Sequence, residues 1–276
     1  MLLSSNLIGF YDYFGMEKTI EIFADAGFQA IDFNLDLSDD CNDESGPSLY
    51  YGLKAFAAER GIRFCQTHAP FARSSGFSPT FEHLTKSLQK SSWLGADMVV
   101  VHPLYPRNYR KEDCYQEMFD CNLDFYRRLA PYAREYGVKI AIENIPKAIT
   151  DTPEGLIQLF DALNDPAFTV CFDVGHANLV GEKPSKFIRA LGDRLGCTHI
   201  HDNDSISDSH ILPYHGDIQW EAVMKALADI GYTGNLNYEA GHFVRRLPEE
   251  LRPQAAGYMA QVGFHLIDLF HTYQTK

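Results

Sequence analysis

The chain repeats one unit eight times: a short β-branched or apolar run, an amphipathic stretch, a glycine, then the next run. The runs are Leu2–Gly9, Ala30–Asp36, Arg63–Pro70, Met98–Leu104, Lys139–Pro146, Phe168–Val174, Cys197–Asp202 and Gly234–Gly241. Helical patterns follow them, as in MEKTIEIFADAGF, DCYQEMFDCNLDFYRRLAPYAREYG and IQWEAVMKALADIGY. Glycine closes several of these in AGF, ERG, EYG and DIG, where a left-handed residue ends a helix at no steric cost. Strand, helix, glycine, strand is the pattern of a parallel sheet with crossover helices. Runs such as MVVV and KIAI are apolar throughout, as strands covered on both faces must be.

Eight such units can close into a (β/α)8 barrel, a fold that takes ~250 residues, and this chain has 276. No Pro-, Gly- or Ser-rich linker interrupts it, so the expectation is one α/β domain over residues 1–276. An open doubly wound sheet is the competing architecture, but no GxGxxG follows the first run. The segment LPEELRPQAAGYMAQVGFHLIDLFHTYQ reads as the eighth helix plus a tail.

Composition narrows the setting. Six cysteines are scattered with no CxxC pair, which fits buried, reduced thiols better than a zinc ribbon or disulfide framework. The start, MLLSSNLIGF, lacks the basic region and long apolar stretch of a signal peptide, and no run approaches a membrane span, so a cytoplasmic location is expected by default. A formal charge of −13 offers no overall attraction to nucleic acid or an anionic membrane, although a positive metal site could still take one phosphate.

The polar residues fall where a parallel barrel brings them together. His68, His102, Glu143, Asp173, His199, His201 and Glu239 end the third to eighth runs, and all strand C-termini of this fold open onto one face. A single histidine on a strand is most often a hydrogen-bonded core residue, and a single buried acid is most often paired with Arg or Lys. Here basic residues are nearly absent from the strand ends. Three carboxylates facing one another without a cation would cost several kcal/mol each or have to protonate. A divalent cation removes that cost, and His with Asp or Glu but no Cys suits Zn, Mn, Fe or Co. Two local spacings add candidates: Asp173-Val-Gly-His176, and Asp208-Ser-His210 in the loop after HIHDNDSIS. Either could equally be an ordinary loop motif.

In THAPF, the HP after the fourth run, IEN, FDVGHA, HIHDND, DSH and YEAGH, the sequence resembles the xylose-isomerase-like barrel superfamily. That superfamily contains endonuclease IV and the sugar isomerases and epimerases related to tagatose epimerase, and the resemblance covers nearly the whole chain. The endonuclease IV pattern implies three zinc ions. His68, His102 and Glu143 would hold one; Glu143, Asp173, His201 and Glu239 a second; His176, Asp208 and His210 a third. The epimerase pattern keeps the second set around one Mn-like ion, with Glu143 and Glu239 flanking the substrate as proton-transfer groups. One departure stands out. The family's Gly-Glu-Gly-type turn reads Pro213-Tyr214-His215-Gly216-Asp217 here, so no role can be borrowed for the missing acid.

Two enzymatic readings follow. The first is a metal-dependent isomerase or epimerase of a sugar, sugar phosphate or cyclitol. One to three Zn or Mn ions would chelate the substrate, and Glu143 and Glu239 would exchange its proton through an enediolate. Lys147, Arg107 and Arg245 could orient a substrate, against the plainer reading of surface solvation. The second is an endonuclease IV-type phosphodiesterase, for which the complete ligand set speaks. Against it, SDDCNDESGPS and APFARSSGFS are not the basic loops that grip DNA, and only YPRNYRK is basic. A barrel with a structural or vestigial metal is the non-enzymatic option. The acidic balance favours a small carbohydrate as partner; homo-oligomerisation is common among barrels, but no interface signature is visible.

Overall fold

The computed structural model describes residues 1–35, 46–70, 77–104 and 111–275. Asp36, the loop around Cys41, residues 71–76 of the APFARSSGFS segment and Arg107 lie outside these residues. Eight strands, β1 (Leu3–Asn6), β2 (Ala30–Asn34), β3 (Arg63–His68), β4 (Met98–Val101), β5 (Lys139–Glu143), β6 (Phe168–Asp173), β7 (Leu195–His199) and β8 (Leu236–Tyr238), form one sheet ordered β7-β6-β5-β4-β3-β2-β1-β8. All neighbouring pairs are parallel. Sheet order follows chain order, so each crossover advances one place round a curling sheet, and the result is an α/β barrel. The ring meets itself at one parallel bridge, Ile200 to Tyr238. There Ile200 N–H donates to Asn237 O (2.7 Å) and Glu239 N–H to Ile200 O (3.1 Å).

The expected helices form at Met16–Ala26, Lys111–Tyr136 and Trp220–Asp229, and the long last helix runs Arg252–Gln274. Every strand ends before its expected run does, and the last two shift most. The seventh strand begins at Leu195, ahead of Cys197, and stops at His199, because beyond the bridge Asp202 pairs antiparallel with Ile211. The eighth is three residues long, because the chain turns into the short helix Gly241–Arg245 soon after Tyr238. Phe23, Phe33, Phe64, Phe172 and Trp220 fill the layer between sheet and helices. Cys65, Cys171 and Cys197 are buried free thiols, as expected, whereas Cys114 and Cys121 are half-buried. Among the described residues no helix is long and apolar enough to cross a membrane.

Inside the barrel, residues two apart on a strand share the inner face. Directly beneath the strand ends this places Val100, Ala141, Cys171 and Cys197 on β4 to β7, a small apolar cluster of their own. Opposite them, Asp32, Gln66 and Asn237 on β2, β3 and β8 are polar and buried.

Candidate metal centre

Glu143 ends β5, is 1% exposed, and stands at the middle of the site. Its Oε2 lies 3.0 Å from His102 Nε2 and 3.5 Å from His68 Nε2. Its Oε1 lies 2.9 Å from His199 Nδ1, which is also 3.2 Å from Glu239 Oε2 and 4.0 Å from Asp173 Oδ2. Asp173 meets His201 Nε2 at 3.0 Å. Further out, Asp208 Oδ2 lies 3.5 Å from His176 Nε2 and 3.3 Å from His210 Nε2, and His210 stacks on His201 with centroids 3.9 Å apart. Three groupings bring their ligand atoms within 4.8 Å of one another: Glu143, Asp173, His199 and Glu239; His68, Glu143 and His199; and His176, His201, Asp208 and His210.

Ring orientation follows from what each imidazole meets. A main-chain carbonyl can only accept, so a ring nitrogen facing one must carry the proton. His68 Nδ1 faces Ala69 O at 2.8 Å, His176 Nδ1 faces Asn144 O at 3.1 Å, and His210 Nδ1 faces Glu239 O at 2.8 Å. Each ring is thereby turned with Nε2 toward an acid, Glu143 for His68 and Asp208 for His176 and His210, the anchored form that metal-binding histidines adopt. His176 Nδ1 and His210 Nδ1 also lie 3.7 and 3.8 Å from carboxylate oxygens.

The described ion-pair contacts of Glu143, Asp173, Asp208 and Glu239 are all with imidazoles. Burial works to raise the Glu143 pKa, but His199, His102 and His68 outweigh it and hold the carboxyl well below the usual range. Glu239 is lowered against its own burial by His199 and His210, and Asp208 by His176 and His210. In return, burial disfavours charge on the histidines, yet Glu143 pushes His68 up to about 9, Asp173 and Asp208 push His176 up to about 10, and Asp208 and Glu239 push His210 up to about 9. His102 runs the other way, because burial there exceeds the pull of Glu143. Protonated imidazoles thus balance the acids, a task a divalent ion performs with fewer protons. The donor set fits such an ion: it is oxygen and imidazole nitrogen without thiolate, and the buried atoms Glu143 Oε2 and His201 Nδ1 have no hydrogen bond.

Supporting residues explain why these groups hold their places. Asn144 clamps β5 to β6, its Oδ1 accepting from Asp173 N (2.7 Å) and its Nδ2 donating to Asp173 O (2.8 Å). Asp173 Oδ1 caps the following short helix by accepting from His176 N at 2.6 Å. Asp202, fully buried, accepts from Asn203 N (2.9 Å), Tyr214 N (3.0 Å), Ile218 N (3.2 Å) and Trp220 Nε1 (2.8 Å). It therefore folds the 203–219 loop back so that Asp208 and His210 face the mouth. Two glycines permit close approach. A Cβ on Gly175 would sit 2.0 Å from the His201 ring, and one on Gly216 would sit 2.4 Å from Asp202 Oδ1. Sequence reasoning missed Asn144 and Asp202, although both lie inside motifs it singled out, IEN and HIHDND.

All nine expected ligands, His68, His102, Glu143, Asp173, His176, His201, Asp208, His210 and Glu239, come together around this mouth. Their grouping differs from the resemblance in all three sets, and His102 meets Glu143 while His199 takes its place beside His68 and Glu143. His199 stands among Glu143, Asp173 and Glu239, and His201 stands one step outward, against Asp173 and His210. Arg245 is committed to a surface ion pair with Asp12 (Nε to Oδ2 2.9 Å), and Lys147 is exposed with φ 68°. His215 packs its ring on Phe243 and Tyr258 at 5.4 and 6.2 Å.

Comparison with known proteins places the fold and the family. The uncharacterized protein MJ1311 of Methanocaldococcus jannaschii is 30% identical over 62% of this chain; the match spans 62% of MJ1311, under two thirds of its length. The uncharacterized protein y4fM of Sinorhizobium fredii is 30% identical over 81% of this chain and 70% of its own. D-psicose 3-epimerase of Ruminiclostridium cellulolyticum is 26% identical over 70% of this chain and 68% of its own. Among solved structures, a D-tagatose 3-epimerase-like protein superposes with a TM-score of 0.81 at 22% identity, covering 99% of both chains. The IOLI protein with a bound zinc atom superposes with a TM-score of 0.77 at 18% identity, again over 99% of both chains. These two share the fold. Residues 20–262 match the xylose isomerase-like TIM barrel family, and the chain belongs to it.

Proposed function

We propose that this protein is a divalent-metal-dependent isomerase or epimerase of a small carbohydrate, a ketose or a cyclitol. The observation that carries the reading is the convergence of two glutamates on one imidazole: Glu143 Oε1 and Glu239 Oε2 lie 2.9 and 3.2 Å from His199 Nδ1. Glu143, Asp173, His199 and Glu239 would hold the central ion, which as a Lewis acid would acidify the proton beside a substrate carbonyl. Both glutamates are ionised at neutral pH, so one can take that proton and the other return it. D-psicose 3-epimerase among the relatives, and the zinc held by the IOLI protein, support the substrate class and the metal. The rim adds to this. Asn6 and Asn34 end β1 and β2 with buried amide atoms that lack hydrogen bonds, which suits neutral hydroxyls better than phosphates. The test is solvent-deuterium exchange into a panel of ketohexoses and inososes by Zn- or Mn-loaded protein. Metal-dependent label at one carbon is expected; no label in any of them sinks the reading.

The outer grouping of His176, His201, Asp208 and His210 favours a second reading, a multi-zinc phosphodiesterase. It requires more than one ion per chain and cleavage of an abasic-site duplex. Metal counting on zinc-saturated protein, run beside that cleavage assay, separates the two.

A further inference from the structure

His199 breaks the rule its neighbours keep. His68, His176 and His210 each anchor Nδ1 on a main-chain carbonyl and present Nε2 to the acids. His199 presents Nδ1 to Glu143 and Glu239 instead, and its Nε2 points down the barrel, 3.4 Å from Asp32 Oδ2. Asp32 is 1% exposed on the inner face of β2. Its Oδ2 accepts from Gln66 Nε2 on the adjacent β3 (3.1 Å) and from Asn237 Nδ2 on β8, one strand beyond β1 (2.8 Å), so amides reaching in from both sides fix the carboxylate. A buried carboxylate held by neutral amides is costly unless it serves a cation, and the ion-pair contact described for Asp32 is His199.

We propose that Asp32 is a positioning residue of the metal centre. Its carboxylate keeps the proton of His199 on Nε2, so that the Nδ1 lone pair joins Glu143, Asp173 and Glu239 around the central ion. His199 Nε2 is buried without a hydrogen bond, and this carboxylate, 3.4 Å away, is its ion-pair contact. With the central ion on Nδ1 the pair closes to do what carbonyls do for the other rings, and outer partners of this kind typically govern metal affinity by about 10- to 100-fold. The proposal rests on the metal in the reading above, not on its substrate or reaction.

The test compares full-length wild type with D32N, which keeps the side chain's shape but not its charge. Zinc affinity is read by competition with a chromogenic chelator, and ligand geometry by the visible spectrum of the cobalt-loaded protein. The central site should weaken by about 10- to 100-fold in D32N with an altered cobalt spectrum. Affinity within about twofold and an unchanged spectrum overturn the proposal, whatever happens to thermal stability. In zinc-loaded wild type, nitrogen-15 NMR of the imidazoles should show His199 protonated at Nε2; a proton on Nδ1 overturns it even if D32N does not fold. Failure of every sugar assay with these results intact removes the carbohydrate reading and leaves Asp32 its role. Failure of wild type to bind zinc or manganese at this centre removes both.

Discussion

The inner and outer parts of the site are built differently. Glu143, Asp173, His199 and Glu239 sit at strand ends or next to them, at 12% side-chain exposure or less. Asp208 and His210 ride on a 17-residue loop, 203–219, and the Asp208 side chain is 42% exposed. A strand end is fixed by hydrogen bonds to both neighbours before any ligand arrives. A loop group is only as well placed as whatever staples the loop, here chiefly Asp202, with Asn178 and Asn203 at its start and the His210 ring on Glu239 O. The inner set is thus preorganised by the fold itself, and the outer set by side-chain staples, Asp202 foremost. Preorganisation of the inner kind suits proton transfer, which tolerates little misplacement.

Four experiments would break or sharpen that contrast. The largest effect belongs to E143Q and E239Q: kcat in the exchange assay should fall by about 10²- to 10⁴-fold, with central metal affinity reduced as well. Next, D202A leaves up to four N–H donors without their acceptor. At about 1–3 kcal/mol for each donor that water cannot reach, the melting temperature should drop by several degrees. By calorimetric titration the outer ion should be lost while the central one is retained; equal loss of both would erase the distinction.

The third is a pH profile of the metal-free protein. His68, His176 and His210 are raised above the ordinary histidine value, to between about 9 and about 10. Their contribution to stability is complete below about pH 6.5 and is lost as pH climbs through 9 to 10. Melting temperature without metal should therefore fall over that window, zinc should bind more tightly as pH rises, and zinc-loaded protein should show a flatter profile. The smallest effect is expected for R245A, whose exposed ion pair with Asp12 is worth less than about 1 kcal/mol; KM should not move.

Much of the architecture was legible because it rests on periodicity. Apolar runs separated by helix-ending glycines require parallel strands, and parallel strands in chain order bring His68, His102, Glu143, Asp173 and Glu239 to one rim. What could not be read is the depth of each group. His199 and His201 share the inner face of one segment, and two residues of strand advance only about 6.6 Å, so their order toward the ion depends on register with β6 and β8. The same limit hid Asp32, which sits in an unremarkable AIDFN run and matters only through residues on β3, β7 and β8. Asp202 escaped because its partners, Tyr214, Ile218 and Trp220, come from a loop whose path is set by that carboxylate.

The Ile200–Tyr238 bridge is the thinnest join in the ring, and it lies between the histidines of one flank and Glu239 on the other. An ion shared by His199 and Glu239 would be a rivet across this gap. Backbone amides there, Ile200 and Glu239 above all, should exchange hydrogen faster once chelators strip the protein, while amides deep in β4 and β5 keep their protection. Holding cargo and keeping the hoop shut would then be one and the same event.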